Sequence, residues 1–110
     1  MALEFTMKPY FQAHLGEVLT LPVSISTDPA GVRQQRTFFA EVLYLTSAEV
    51  VVNLVCRDEF LTPSGFQATG KAPTQAMLGD YAVPLDNLVG LKCFWVNLME
   101  RADPAVVDLI

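Results

Sequence analysis

The sequence TFFAEVLYLTSAEVVVNLVCRD, residues 37–58, consists of two apolar arms joined by a short polar segment. The second arm is rich in β-branched side chains, which favour extended strands. As a strand it is predicted to bury one face, made by Val50, Val52, Leu54 and Cys56 at alternate positions. The stretch therefore predicts an antiparallel β-hairpin, with strands over 37–45 and 50–58 joined at Thr46-Ser47-Ala48-Glu49.

The first arm of this stretch also fits a helical pattern. Phe38, Val42 and Leu45 recur at a spacing that would place them on one face of a helix. The run of valines that follows disfavours continuing such a helix, so a strand is the preferred interpretation of the first arm.

Strands with the same alternation are predicted on both sides of the hairpin. In residues 17–26 apolar and polar residues alternate, and Pro22 places this strand at a sheet edge because proline has no amide hydrogen. The segment Asp28-Pro29-Ala30-Gly31 has the residues of a type I turn. Further strands are expected over 75–83 and 91–99, separated by a turn at Asp86-Asn87, and Trp95 and Val96 in the last of them are expected to be buried with Val52 and Leu54.

Short strands separated by turns, in a single domain spanning residues 1–110, predict an all-β fold. The expected architecture is an antiparallel sandwich or a small barrel, with extended arms at about 1–12 and 103–110. The predicted strand over 37–45 is apolar on both faces, with Phe38 on one face and Phe39 on the other. A sandwich buries one face of each sheet, so part of this apolar surface is expected to contact either another chain or the chain's own arms, and another chain is the preferred interpretation.

Composition and charge narrow the classes of function. The 110 residues are 52% apolar and 17% charged, which is typical of a chain that forms a core. Twelve acidic residues against seven basic ones give a net charge of −5, which argues against binding to nucleic acid or to an anionic membrane. The N-terminus lacks the basic region of a signal peptide, and no apolar run approaches the roughly 20 residues of a membrane span.

The two cysteines, Cys56 and Cys93, stand far apart and form no CxxC pair. They are interpreted as buried core thiols of a protein made in a reducing compartment, and a disulfide between neighbouring strands is the alternative. No histidine and no third cysteine lies near either of them in sequence, so a metal site is not expected.

One motif comes close to a phosphate-binding loop. Residues 65–71 fit G-x-x-x-x-G-K, but Ala72 stands where Ser or Thr would hold Mg²⁺. Pro73 also prevents the helix whose N-terminal amides would bind phosphate. The segment is therefore predicted to be a loop that binds no nucleotide, and no cofactor is expected.

No other pattern indicates catalysis. His14 is the only histidine, and no nucleophile pattern accompanies it. The carboxylate pairs Asp58-Glu59 and Asp80 with Asp86 are interpreted as solvated strand ends. Arg33 and Arg36 form the one local basic cluster, which suits an ion pair with a partner. The chain is therefore not expected to be an enzyme.

Both ends of the chain are apolar. Leu3, Phe5 and Met7 alternate with polar residues, a pattern suited to adding a strand to the sheet edge of another protein. Four of the last five residues are also apolar, although chain ends are usually polar and frayed. The residues predicted to contact a partner are Leu3, Phe5, Met7, Tyr10, Phe11, Val106, Val107, Leu109 and Ile110.

In size, acidity, β-rich pattern and apolar ends, the chain resembles the small capsid-decorating proteins of tailed phages, above all the staple type of epsilon-fifteen-like phages. The resemblance implies a jelly-roll-like sandwich that forms homodimers and bridges subunits of the major capsid protein. It implies location on the virion surface after synthesis in the host cytoplasm. The first alternative is a small cytoplasmic binding or inhibitor protein that acts on one protein target. A second alternative is an enzyme or a ligand-binding β-barrel.

Overall fold

The computed structural model describes residues 7–64 and 72–110. The chain order is α1 (Lys8–Ala13), β1 (Val18–Thr27), β2 (Arg33–Leu45), β3 (Glu49–Leu61), β4 (Thr74–Pro84), α2 (Leu91–Ala102) and a 3₁₀ helix (Pro104–Leu109). The four strands form one antiparallel sheet in the order β1-β2-β3-β4, so that each strand pairs with its neighbour in sequence. The prediction of a mainly antiparallel β fold is confirmed.

The predicted hairpin is the centre of this sheet. Strands β2 and β3 pair over their whole length, with Val42 opposite Val52. At the turn, the Thr46 hydroxyl accepts hydrogen bonds from the backbone amides of Ala48 at 3.2 Å and Glu49 at 2.9 Å. Hydrogen bonding to backbone amides is what favours a threonine at such a turn. The helical alternative for the first arm is excluded, because residues 33–45 are one strand.

Strand β1 lies at one edge of the sheet, as Pro22 predicted. The following turn is also confirmed, since the Gly31 amide donates to the Asp28 carbonyl at 2.9 Å. The Asp28 side chain accepts from the Val32 amide at 2.9 Å. Gly31 has φ +84°, a conformation that favours glycine. The predicted strand over 75–83 corresponds to β4, and the predicted turn at Asp86-Asn87 follows it.

The core lies between one face of the sheet and the helices. Phe11 of α1 and Phe94 of α2 are fully buried, with ring centroids 5.1 Å apart. They pack with Val52 and Leu54 of the sheet, which are also fully buried. The predicted burial of Val52, Leu54 and Trp95 is confirmed, whereas Val96 is only half-buried.

The prediction of a strand over 91–99 is wrong, because these residues belong to α2. Phe94, Trp95, Leu98 and Met99 form the buried face of that helix. A short apolar run fits both the strand period and the helix period, and here the helical arrangement collects the largest side chains on one face. The remaining surface carries the exposed residues Lys92, Glu100 and Arg101.

The prediction of extended arms is also wrong for the described part of the ends. Residues 8–13 are α-helical, and residues 104–109 form a 3₁₀ helix. Pro9 and Pro104 each stand in the first turn of their helix, where proline fits because those amides have no partner within the helix. Within residues 7–64 and 72–110 the layer that packs on the sheet consists of helices, and no second sheet is present.

Candidate functional site

The helices cover one face of the sheet, and nothing in the described part of the chain covers the other, which we call the open face. In β2 the core includes Phe38, Ala40 and Val42, whereas Phe39 and Glu41 point to the opposite side. The open face includes Val18, Thr20, Pro22, Ser24, Gln35, Thr37, Phe39, Glu41, Leu43, Tyr44, Val51, Asn53, Val55, Arg57, Glu59, Gln75, Met77, Asp80 and Ala82.

A row of side chains crosses the centre of the open face. Thr20, Phe39, Val55 and Met77 are successive register partners on the four strands, and we call them the middle row. Met77 is 80% exposed at the edge strand. Phe39 and Val55, on the central strands, are half-buried by their neighbours. The middle row therefore presents three apolar side chains and one threonine side by side.

A β-bulge in β4 puts Met77 into that row. Leu54 pairs with Gly79 and Val55 pairs with Met77, so Leu78 is an extra residue without a register partner. Gly79 has φ +102°, a conformation that L side chains rarely adopt. Leu78 packs against the core, and its carbonyl accepts a hydrogen bond from the Tyr81 hydroxyl at 3.1 Å. Without this bulge, Leu78 would stand opposite Val55.

A second apolar row lies toward the β2–β3 turn. It consists of Tyr44, Val51 and Ala82, which are register partners, and we call it the end row. Leu43 stands beside it, at a bulge between Val42 and Tyr44. Tyr44 is 54% exposed and Leu43 is 37% exposed, while Val51 is nearly buried among its neighbours.

Polar side chains separate these two rows. Glu41, Asn53 and Asp80 form what we call the polar row. The Asn53 amide donates to the Asp80 carboxylate at 2.8 Å, whereas the Glu41 carboxylate has no hydrogen bond or ion pair with the described residues. On the other side of the middle row stands Arg57, whose guanidinium pairs with Glu59 at 3.2 Å. The open face thus has acidic groups on one side of the middle row and an ion pair on the other.

The residues predicted from the sequence to contact a partner are not part of the open face. Leu3 and Phe5 are outside the described residues. Met7, Phe11 and Val106 are 8%, 0% and 2% exposed, because they pack in the core of this chain. Tyr10, Val107 and Ile110 are half-buried against the same core, and Leu109 is 48% exposed.

The sequence nonetheless contained a sign of the open face. It showed that the strand over 37–45 is apolar on both sides, which the structure confirms for Phe38 and Phe39. It did not single out Val55 or Met77. Their place in one row depends on the register of three strands and on a bulge, which no periodicity of the sequence displays.

A half-buried ionic cluster ties the sheet to the C-terminal segment. The Arg36 guanidinium donates two hydrogen bonds to Asp58, at 2.7 and 2.9 Å, and one to Asp103 at 3.0 Å. Hydrogen bonds from Arg36 lower the pKa of Asp58, and its bonds to Asp58 raise the pKa of Arg36. Gln34 also donates to Asp58, at 3.1 Å. The predicted ion pair of Arg36 with a partner is therefore formed within the chain.

The remaining candidates for chemistry are dispersed. Cys56 and Cys93 are both free, so the disulfide alternative is excluded, and burial raises the pKa of the Cys56 thiol. His14 pairs with Glu17 and packs on Tyr10 at a centroid distance of 4.3 Å. Residues 65–71 lie outside the described residues. Among residues 7–64 and 72–110, no group of three or more His, Cys, Asp or Glu side chains is placed to hold a metal ion.

A small cleft lies at the end of the sheet beside the β1–β2 turn. Its volume is about 220 Å³, and it is lined by Thr27, Gly31, Arg33, Thr62 and Pro63. Ligand pockets usually enclose roughly 300–1,000 Å³ and are largely apolar. The open face is therefore the stronger candidate for function.

Function is inferred here from the surface of the molecule. None of the described helices is long and apolar enough to cross a bilayer. Comparisons with protein-family models, with curated proteins and with solved structures found no match to this chain.

Proposed function

We propose that the chain is a structural protein that binds and stabilises a larger protein assembly, and that its open face is a protein–protein interface within that assembly. The observation that carries this proposal is the middle row, in which Phe39, Val55 and Met77 stand next to one another on a sheet face that no helix of the described residues covers. Contiguous exposed apolar side chains are typical of surfaces that bind another protein.

The energetics favour lasting contact. Burying one fully exposed large apolar side chain contributes about 1.5–3 kcal/mol. On the open face Met77, Tyr44 and Leu43, which are 80%, 54% and 37% exposed, can contribute part of that amount each. In the polar row Asn53 already donates a hydrogen bond to Asp80, whereas burial of the Glu41 carboxylate requires a donor from the partner. A flat face of this kind suits a broad partner surface better than a small ligand.

The specific form that we propose is decoration of a viral capsid, with the major capsid protein as the assembly that is stabilised. This form is supported by the resemblance to staple proteins, and it would locate the chain on the virion surface. The sandwich predicted from the sequence is then completed between chains. The open face supplies one layer, and a neighbouring protein covers it.

The proposal is tested by matched substitutions in the full-length chain, expressed in its natural source. Met77→Asp places a charge on the open face at a site that is 80% exposed, so we expect the fold to be retained. Val89→Asp is the control, because Val89 is 73% exposed and lies in the segment between β4 and α2, outside the set of open-face residues. Native mass spectrometry and sedimentation of the isolated material show whether each variant enters a larger particle.

We expect wild type and Val89→Asp to be found in a multi-subunit assembly, and Met77→Asp to be lost from it. Equal incorporation of both variants would refute the role of the open face. A one-to-one complex with a single soluble protein would favour the alternative of a small binding or inhibitor protein.

A further inference from the structure

We infer that the neighbour on the open face is a second copy of this chain, packed sheet to sheet about a two-fold axis that runs along the strands between β2 and β3. The inference rests on the proposed function, since it names the partner of the same surface. Such an axis exchanges β1 with β4 and β2 with β3, so each open-face residue meets its counterpart on the exchanged strand.

The apolar rows are self-complementary about this axis. In the middle row Phe39 would face Val55 of the second copy, and Met77 would face Thr20. In the end row Tyr44 would face Val51. An interface between identical chains requires this property, whereas a surface for a different protein does not. The pattern therefore favours a second copy as the occupant.

The charges obey the same symmetry. Glu41 would face Asn53 of the second copy, and an amide can donate to a carboxylate. Arg57 would face Thr37, whose hydroxyl can accept a hydrogen bond from it. Near the axis no carboxylate is placed opposite another carboxylate. Burial of Glu41 and Arg57 is therefore accompanied by polar partners. Asp80 would lie opposite Val18 of the second copy, at the edge of the face, and keeps its hydrogen bond from Asn53 within the chain.

Axes that run across the strands fit less well. An axis through the polar row would bring the two apolar rows together but would place Glu41 on Glu41. An axis through the middle row would place Val51 on Glu59, because both lie four residues from Val55 on the same strand. Only the axis along the strands matches both the apolar rows and the charges.

The size of the open face is also sufficient. Four strands spaced by about 4.8 Å, with roughly ten residues each, give a plan area of about 600 Å². Two such faces together bury about 1,200 Å² or more, which lies within the range of stable interfaces. Two sheets packed face to face at a separation of about 10 Å would form the sandwich that one chain alone does not complete.

A dimer of this kind also explains how a small chain would link larger subunits. The two-fold axis repeats every remaining surface of the chain once, so the pair presents two identical binding sites. Two equivalent neighbours can then be held by one dimer, which is the arrangement that bridging requires.

The first test measures the self-association of purified full-length protein by analytical ultracentrifugation. We expect wild type to dimerise at micromolar concentration. Val55→Asp places an unpaired carboxylate near the axis and is expected to weaken the dimer at least about tenfold. Val89→Asp is the control, with dimerisation unchanged. Circular dichroism verifies the fold of each variant.

The second test measures which residues face each other across the dimer, and its result does not depend on the stability of a single variant. Equal amounts of Asn53→Glu and Glu41→Lys chains are mixed and examined by native mass spectrometry. The proposed axis places the introduced carboxylate of one variant opposite the introduced ammonium of the other only in the mixed dimer. We expect mixed dimers to exceed their statistical share by about threefold or more. Effects within each chain are the same in mixed and unmixed dimers, so they do not produce this preference.

The control is a mixture of wild type with Glu41→Lys. The proposed axis creates no new charge pair there, so mixed dimers should be found at the statistical share. An axis that placed residue 41 on residue 41 would favour mixed dimers in this control and would overturn the inferred geometry.

The outcomes separate this inference from the proposed function. A monomeric wild type that still enters a larger assembly in a Met77-dependent manner would refute the second copy and leave the proposed function standing. Dimers that are unaffected by Val55→Asp would also refute the inference. A monomer that enters no assembly would refute both.

Discussion

The two faces of the β2–β3 hairpin contain similar residues in different surroundings. On the core face, Phe38 and Leu54 are fully buried beneath the helices. On the open face, their sequence neighbours Phe39 and Val55 are half-buried, and within residues 7–64 and 72–110 no helix covers them. The comparison shows that an apolar face of a strand indicates burial but does not indicate by which chain. On one side the cover is this chain's own helices, and on the other we propose a second copy.

The largest loss of stability is expected where residues near the chain ends cover the core face of the sheet. Phe11→Ala should lower the free energy of unfolding by about 3–5 kcal/mol, because Phe11 is fully buried against Phe94. Leu109→Ala is the matched change at the other end, and its 48% exposure predicts a loss below about 1 kcal/mol. Urea denaturation measures both values. Equal losses would contradict the assignment of α1 to the core.

A direct contrast of the two faces comes next. Leu54→Ala should lower the free energy of unfolding by about 2–5 kcal/mol, since the side chain is fully buried. Val55→Ala, one residue along the same strand, should cost less than about 1 kcal/mol at a concentration where the chain is monomeric. At higher concentration the Val55→Ala deficit should increase, because dimerisation stabilises the folded state. A deficit independent of concentration would argue against a covered open face.

The ionic cluster of Arg36, Asp58 and Asp103 makes the free energy of unfolding depend on pH. The pKa of Asp58 is lowered in the folded chain by hydrogen bonds from Arg36, so the carboxylate stabilises the fold above its unfolded pKa of about 3.9. This contribution is lost as the pH falls through the lower folded pKa. Asp58→Asn should therefore cost about 1.5–3 kcal/mol at pH 7 and much less at acidic pH.

The check is a series of denaturant titrations across that pH range, with Asp80→Asn as the control on the open face. Asp80 is exposed and has a single partner, Asn53, so its removal should have a small effect at either pH. An Asp58→Asn deficit that stays constant as the medium is acidified would mean that the cluster is not the source of the effect.

A smaller loss of stability is expected at the β4 bulge that places Met77 on the open face. Gly79→Ala should destabilise the chain by about 1–2 kcal/mol, because alanine at φ +102° is strained although no atom lies within 4 Å of the added methyl group. Gly90→Ala is the control, since Gly90 has an extended backbone and similar free space. Thermal melting of both variants measures the difference, and equal melting temperatures would show that the backbone at Gly79 is not strained.

The sequence predicted the sheet well where local chemistry determines it. Alternation and valine content identified the hairpin, Pro22 identified the edge, and Asp28 with Gly31 identified the turn. It failed for α2. Phe94, Val96 and Leu98 stand at alternate positions, as in a strand, but in the helix Phe94 and Leu98 lie on the buried face and Val96 does not. The apolar chain ends were interpreted as arms that contact a partner. The sequence has no periodic pattern that would show that these ends pack against the core of their own chain.

The open face was predicted only in outline. Two-sided apolar strands indicated that some surface would need a partner, and that expectation led to the proposal made above. The residues that form its rows, such as Val55 and Met77, become neighbours only through pairing of separate strands. A bulge of one residue then decides which side chain of β4 faces outward.

The contact between Phe11 and Phe94 has a consequence for synthesis of the chain. Every strand pairs with the strand before it, so the sheet can assemble hairpin by hairpin as it leaves the ribosome. The helix that carries Phe94 is made only after all four strands, and until then the core face lacks its main cover. The nascent sheet therefore exposes apolar side chains on both sides for a time, a state that chaperones bind and that aggregates readily. Release of the segment from α2 onward is then the step that ends this vulnerable period.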